Sequence, residues 1–385
     1  MPAFNGPGVW GRLANQGYEN DPIRTSLFFA GQARDGSTWY DCSAADNMEL
    51  YTVHPGEALH LEWSASEANR IHVLERMAAA GLKVISMSTW GEDFLPCSTG
   101  WVPFAPMQTA PVAQDQVFEA AASSQMLVMP FIESRGDWAF RDEFPSLPNG
   151  TIAPGTLSQI VNLVERYLKN PDHPEWAAQW AQVFDRQGEP RYAVTLIHAS
   201  SNRLPANGQI AYAQGFDALA DAIFQSTGVK VGFFIDPLPP ASNAPGTFRP
   251  SPERTGALLA QTDAILGIQS FIPEIWVSGS PDETELIAWK WDYSKRWTAT
   301  GIPFLMDVSP GYDAHVVFPG SIIYGFTDLW QSELTAMVST FVADGLAFNS
   351  WNGYTEGMAA VPTMEYGERY YSWLKTLCDV VNGGN

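Results

Sequence analysis

A single closed (β/α)8 barrel is the fold class that this 385-residue sequence predicts, an α/β architecture with long loops at the carboxyl-terminal face of its strands. Three observations predict it. Short apolar runs alternate with amphipathic stretches, which implies parallel strands joined by crossover helices. Eight such units fit within about 350 residues, the size of a barrel with insertions. The longest loops, 92–113, 134–155 and 237–252, are rich in Pro and Gly and follow the second, third and fifth strands, on the face where a barrel builds its active site. An open doubly wound sheet is the alternative. It usually carries a glycine-rich phosphate loop after the first strand, and Phe29-Ala30-Gly31-Gln32-Ala33-Arg34 lacks that GxGxxG pattern.

The strands are expected at 27–30, 83–87, 126–132, 192–197, 229–235, 267–271, 303–306 and 346–351. Each is a run of apolar, often β-branched or aromatic residues bounded by turn formers. The helix at 66–80 shows its signals most fully. Ser66 precedes Glu67 at the start, Ile71, Leu74 and Met77 form the apolar stripe, and Gly81 ends it. Further helices are expected near 156–169, 209–226, 254–264, 282–298, 330–343 and 365–381, with a shorter one at 115–123. No domain boundary is visible, so 1–385 reads as one catalytic domain, with 1–25 as an N-terminal extension packing on the barrel.

Composition narrows the function. Acidic residues number 42 and basic ones 21, and the resulting charge of −21 argues against nucleic acid or an anionic membrane surface as a partner. Charged residues make up only 16%, which excludes a disordered, highly charged chain. No apolar run reaches the roughly 18 residues of a bilayer span. Aromatic residues are in surplus, with 15 Trp, 13 Tyr and 21 Phe, and they fit either stacking on sugar rings or a tryptophan-rich core. Of three cysteines, Cys42 and Cys97 lie in polar, loop-like stretches. They fit a disulfide or free thiols equally. No CxxC or Cys/His cluster suggests zinc, so neither a metal nor another cofactor is expected. Asn149-Gly150-Thr151 matches a glycosylation acceptor, and with the composition it suggests a secreted monomer whose leader has been removed.

Barrel enzymes place their chemistry at the carboxyl ends of the strands. Those ends carry Trp90 and Glu92 after the second strand, Glu133 and Trp138 after the third, and Asp236 after the fifth. Glu274 and Trp276 follow the sixth strand, Asp307, Tyr312 and Asp313 the seventh, and Trp351, Asn352, Tyr354 and Glu356 the eighth. Cleavage of a glycosidic bond needs two carboxyl groups across the sugar, one with a raised pKa. Aromatic walls supply both a stacking platform and the desolvation that raises it. Any single strand-end carboxylate also fits a helix cap or a loop ligand; the repetition around the rim favours chemistry. His198 and His315 lie at strand ends as well. A metal site from Asp307, Asp313 and His315 is unspecific, and no GxSxG elbow is present.

The residues then resemble a family. Val308-Ser309-Pro310-Gly311-Tyr312-Asp313 resembles the strand-seven segment of the glycoside hydrolase family 99-like barrels. Ser350-Trp351-Asn352-Gly353-Tyr354-Thr355-Glu356-Gly357 is similar to their strand-eight run, Asn-acid-aromatic-x-Glu-Gly. Glu365-Tyr366-Gly367 with Tyr370, Tyr371 and Leu374 resembles the helix that follows. Phe131-Ile132-Glu133 resembles the strand-three segment that contributes an acid, and 66–87 fits the helix and strand that precede it. The likeness spans roughly half of the chain. It implies a (β/α)8 glycosidase, in a group that includes endo-acting α-mannosidic enzymes. In that group the later glutamate of the strand-eight run is the general acid/base and matches Glu356, while the earlier acid acts as base towards a neighbouring sugar hydroxyl.

This sequence departs at the earlier position, which is Gly353. The neighbouring-group mechanism therefore does not carry over intact, and another carboxylate must replace the missing one if the chain is a hydrolase. Asp307 is the first candidate, followed by Asp236 and Glu133. The expected function is a secreted glycoside hydrolase acting on a poly- or oligosaccharide. Trp90, Glu92, Trp138, His198, Glu274, Trp276, Tyr312, Asp313, Trp351, Asn352 and Tyr354 are expected to bind the glycan. Gly353 keeps a non-catalytic carbohydrate-binding barrel open. His198, His315 and Tyr354 keep open a lyase or transferase that uses one of them as base.

Overall fold

The computed structural model describes residues 9–18, 25–29, 52–54, 56, 66–89, 111–133, 154–197, 209–237, 251–277, 279, 281–316, 319–341 and 345–383. The strands in chain order are β1 (Thr25–Phe29), β2 (Val84–Thr89), β3 (Leu127–Glu133), β4 (Gln182–Phe184), β5 (Pro190–Ile197), β6 (Val231–Ile235), β7 (Ile265–Gln269), β8 (Phe304–Val308), β9 (Gly311–Asp313), β10 (Ile323–Gly325) and β11 (Leu346–Phe348). Eight of them, β1, β2, β3, β5, β6, β7, β8 and β11, pair in that order, each parallel to the next. β11 pairs with β1 through Thr25↔Leu346 and closes the ring. The fold is a (β/α)8 barrel, and its ring strands lie within a few residues of the expected positions.

A helix follows every ring strand. These are α1 (Glu67–Ala79), α2 (Pro111–Ser124), α3 (Pro154–Tyr167), α5 (Gln209–Thr227), α6 (Pro252–Leu259), α7 (Glu283–Thr298), α8 (Asp328–Phe341) and α9 (Arg369–Gly383), with a single extra turn α4 (Trp176–Gln179) before β4. Helix boundaries follow from local chemistry. The Ser66 side chain accepts from Asn69 N at the start of α1. Asp282 and Glu285 form a reciprocal capping box on α7, with Glu285 N donating to Asp282 at 2.9 Å and Asp282 N to Glu285 at 3.0 Å. Gly81 adopts φ +94°, and a Cβ there would also lie 2.9 Å from Cys378 Cβ, so α1 ends where α9 passes closest. Among the described residues, no helix is long and apolar enough to cross a membrane.

Three short strands were not expected. β4 adds antiparallel to β5, and β9 with β10 makes a hairpin outside the ring. Each has three residues, too few for a period-two pattern to register.

The barrel interior changes character along its axis. Leu13, Val84, Leu127, Met129, Ala193, Phe234, Leu266, Leu305 and Ala347 cluster inside the amino-terminal half. Residues 9–18 close that end: Gly11 N donates to Phe184 O at 3.0 Å and Leu13 bridges Val183. Because strand side chains alternate, residues two positions further along share the inner face. Those residues are Ser86, Thr195, Asp236, Asp307 and Asn349, all buried and all polar. Gln269 ties this layer together, accepting from Thr195 Oγ1 at 2.9 Å and donating to Ser86 Oγ at 3.1 Å. An apolar floor thus gives way to a polar mouth at the carboxyl ends of the strands.

Much of the tryptophan surplus is core. Trp176, Trp180, Trp297, Trp330, Trp351 and Trp373 are all buried. Trp180 donates its indole N–H to Ala193 O at 2.8 Å. Cys42 and Cys97 lie outside the described residues. Cys378 is a free, buried thiol whose pKa burial pushes up to about 12.

Leu13 is fully buried in the cluster that seals the floor. Its replacement by Ala is expected to cost about 2–5 kcal/mol, read as a lower urea-unfolding midpoint. An unchanged midpoint would show that residues 9–18 do not carry the floor.

Candidate active site

The described part of the mouth is built by the segments that follow β7, β8 and β11. After β11 the chain folds back on itself. Ser350 N and Oγ both donate to Met358 O at 2.9 Å, Met358 N donates to Gly353 O at 2.9 Å, and Ala360 N donates to Ser350 O at 2.8 Å. The enclosed residues Tyr354–Glu356 form a 3₁₀ turn that ends at Gly357, where φ is +70°. From outside, Thr52 N and Val53 N donate to Tyr354 O at 2.9 and 3.2 Å, and His54 Nδ1 pairs with Glu365 at 2.7 Å. The turn is therefore held on both sides, and it presents Glu356.

Glu356 keeps part of its surface open to solvent, yet its surroundings are dense enough to change its chemistry. Burial pushes its carboxyl up to about 7, and a hydrogen bond from the Tyr312 hydroxyl opposes that rise. A carboxyl poised near neutrality at a barrel mouth is suited to donating and recovering a proton. Tyr312 reaches it from the β9–β10 hairpin.

Gly353 has a steric explanation. A Cβ there would lie 2.6 Å from Ser350 Oγ, 3.2 Å from Met358 O and 3.3 Å from Met358 Cβ. The hairpin-like closure that presents Glu356 crowds any side chain three residues earlier.

Of the other expected acids, Glu274 and Asp307 are drawn into one buried cluster around Lys290, a residue of α7, and Asp236 is tied to the segment that leads into it. Lys290 donates to Asp307 Oδ2 at 2.8 Å and also to Glu274 Oε1. Asp307 Oδ1 accepts from Ile272 N at 3.1 Å and from the Asn349 side-chain amide. Asp236 Oδ1 accepts from the preceding amide, Phe271 N, at 3.2 Å. Ile272 holds φ +38°, a region that β-branched residues rarely adopt, and these two consecutive amide contacts fix it there. Burial opposes the charge on Lys290, but Asp307 and Glu274 outweigh it and hold its pKa above the ordinary lysine value. Burial raises the Glu274 carboxyl, Lys290 pulls it back, and Asp307 pushes it further up.

Several expected site residues therefore sit differently. Glu274 is wholly buried on Lys290 and is not positioned to touch a sugar. Trp351 is also buried, packed edge-on against Tyr371 of α9 with ring centroids 6.2 Å apart, and forms core rather than a stacking wall. Asn352 and Tyr354 are buried in the same turn. Asp307 and Asp236 line the mouth but are occupied by Lys290 and backbone amides. Asp313 is partly exposed beside Gly357 and accepts from His315 N at 3.1 Å and from its ring. Trp90, Glu92, Trp138 and His198 lie outside the described residues, as do the side chains of Glu133 and Trp276.

Lys290, Tyr324 and Asn349 were not expected as site residues. For Lys290 a signal existed: it shares the buried stripe of α7 with Leu286, Tyr293, Ser294 and Trp297. A lysine on such a stripe requires a buried partner. Among the described residues, no group of three or more His, Cys, Asp or Glu side chains is arranged to hold a metal ion.

Solved structures share this architecture. The fold is similar to that of family 99 glycoside hydrolases. A GH99 endo-alpha-mannosidase from Bacteroides thetaiotaomicron superposes with a TM-score of 0.57 at 14% identity, over 94% of this chain and 97% of that one. The catalytic domain of the major endoglucanase of Xanthomonas campestris gives 0.52 at 13% identity, over 97% and 99%. The endo-1,4-beta-mannanase of Rhizomucor miehei gives 0.51 at 13%, over 86% and 95%. No protein-family model matches the sequence, and no curated protein does. At these identities the likeness is one of fold.

Introducing the missing acid as Gly353→Asp is expected to destabilise the fold by about 1–3 kcal/mol through overpacking against Ser350 and Met358. Thermal unfolding checks this. A variant as stable as the parent would show that the turn can open to admit a carboxylate.

Proposed function

We propose that this chain is a secreted glycoside hydrolase that cleaves glycosidic bonds in a poly- or oligosaccharide, with Glu356 as general acid. One observation carries the reading: Glu356 is a carboxyl raised to about 7 at the mouth of a barrel whose fold is that of glycosidases. At neutral pH such a group is partly protonated and can donate to a leaving-group oxygen. The acidic composition, poor in basic residues, supports an extracellular setting.

The second carboxylate is the harder assignment. Asp307 accepts from Lys290, Ile272 N and Asn349, and each of these contacts weakens as its charge is neutralised. That makes Asp307 a poor nucleophile or base. Asp236 shares the constraint through Phe271 N. Glu133 ends β3, three strands round the ring from β11 by way of β1 and β2. It is the acid we assign to the opposite side of the substrate. A separation of about 5 Å from Glu356 gives a retaining route and roughly 6.5–9.5 Å an inverting one. Gly353 favours one alternative, a barrel that binds glycans without cleaving them.

Digestion of a panel of glycans, with product mass and anomeric NMR, tests the reading. Release of reducing ends supports hydrolysis; tight calorimetric binding without any product supports the binding barrel instead. In an active enzyme, kcat/KM is expected to fall as pH rises through about 7, because the acid form of Glu356 is lost.

Glu356→Gln should lower turnover by orders of magnitude, and near-parental activity would remove Glu356 from the mechanism. The same variant carries a stability signature. The folded pKa lies above the unfolded value, so the stability held by the protonated carboxyl is complete below pH about 4.5 and lost as pH rises through about 7. Gln stays neutral. The variant should match the parent at pH 4 and exceed it at pH 8 by up to about 3 kcal/mol. Denaturant titrations at the two pH values read this directly.

A further inference from the structure

The Tyr312 side chain lowers the Glu356 carboxyl, and the hairpin that carries it packs against the Glu356 turn, with Asp313 beside Gly357. Tyr312 sits on a hairpin of two three-residue strands, outside the barrel ring. An isolated hairpin of that size is marginal in water, so something must hold this one still. Two features do so. The strands close through facing glycines: Gly311 pairs with Gly325, and a Cβ on Gly325 would lie 2.5 Å from Gly311 Cα. The second feature is polar and leads inward. Tyr324 stands directly opposite Tyr312, the two rings stacked at 6.0 Å and 20°. The Tyr324 hydroxyl donates to Glu274 Oε2 at 3.3 Å. Glu274 is in turn held by Lys290, which is anchored on Asp307. Every member of this chain, from Lys290 to Tyr312, is buried.

We propose that Lys290, Glu274 and Tyr324 form a positioning relay: the buried ammonium fixes Glu274, Glu274 fixes the Tyr324 hydroxyl, and the Tyr324 ring holds Tyr312 and its hairpin in place beside the turn that presents Glu356. None of the three touches substrate. They act through Tyr312, and the relay couples the sixth, seventh and eighth ring strands to the group that carries the proton. The catalytic meaning of the relay rests on the assignment of Glu356 as general acid; the relay itself is a property of the folded chain. It also gives a use to a buried lysine with two carboxylates, which is otherwise expensive to fold.

The test reads Glu356 without substrate. Protein carrying ¹³C-carboxyl glutamate is titrated by NMR, with Glu356→Gln identifying the resonance. Lys290→Met strands two buried carboxylates and risks misfolding, so Tyr324→Phe is the primary variant, since it keeps the ring and removes only the hydroxyl. Tyr312→Phe removes the hydroxyl that lowers the Glu356 carboxyl and should raise the Glu356 midpoint by about one pH unit. Tyr324→Phe should move it in the same direction by about half a unit. Tyr371→Phe removes a hydroxyl that donates to Arg76 O at 2.9 Å on α1, and should leave the midpoint in place. A Tyr324→Phe protein that melts earlier but titrates like the parent overturns the relay and leaves Tyr324 a packing residue. A shifted midpoint in a protein that cleaves no glycan keeps the relay and overturns the hydrolase reading. An unshifted midpoint in an active enzyme does the reverse.

Discussion

The contact between Lys290 and the carboxylates of Glu274 and Asp307 is the constraint around which the described half of the mouth is arranged. An ammonium removed from water loses several kcal/mol of solvation, and its attraction to the carboxylates offsets this only when the remaining donors and acceptors are also satisfied. Here they are. Asp307 takes an amide from Ile272 and a side-chain amide from Asn349, and Glu274 takes the Tyr324 hydroxyl. The left-handed turn at Ile272, the start of the 3₁₀ turn that carries Glu274 and the stance of the β9–β10 hairpin all follow from meeting those demands. Such a cluster does little for net stability. Its effect is to make one arrangement of three ring strands much better than any other.

That rigidity matters because the barrel interior is divided. An apolar floor sealed by Leu13 tolerates repacking, since its members need only exclude water. A polar layer above it does not, because each buried polar group needs a specific partner. The Thr195–Gln269–Ser86 bonds and the Lys290 cluster supply most of those partners. Glu356 is the exception within this order. Its charge is opposed by burial and eased only by Tyr312, and the result is a carboxyl that titrates near neutrality. Asp307 and Glu274 are paired with Lys290, whereas Glu356 has no basic side chain among the causes that set its pKa.

The sequence made the ring legible because each ring strand is an apolar run bounded by turn formers, and the helices between them carry their own caps. The mouth was legible in part. Strand-end position draws notice to Asp236, Asp307, Glu274 and Glu356, but position does not say whether a carboxylate meets solvent or a lysine two turns into the next helix. Trp351 shows the other limit. It lies three residues past β11, where the chain has left the strand and the inner–outer alternation no longer applies, so its ring turns towards Tyr371 and α9. Tyr324 was out of reach because its strand is too short to show a period.

Gly353 changes meaning once the turn is seen. As a sequence feature it is a missing acid and argues for lost catalysis. In the structure it is the residue that lets Ser350 and Met358 close the turn behind Glu356, since any Cβ would meet both. A side chain at this position would need Ser350 Oγ to move aside and Met358 to give by a few tenths of an ångström. A barrel built this way cannot run both halves of its chemistry from one loop. If it hydrolyses glycans, its second carboxylate must stand on another strand, across the substrate from Glu356 and clear of the Lys290 cluster. Glu133, the acid proposed for that place, ends β3, three strands round the ring from β11.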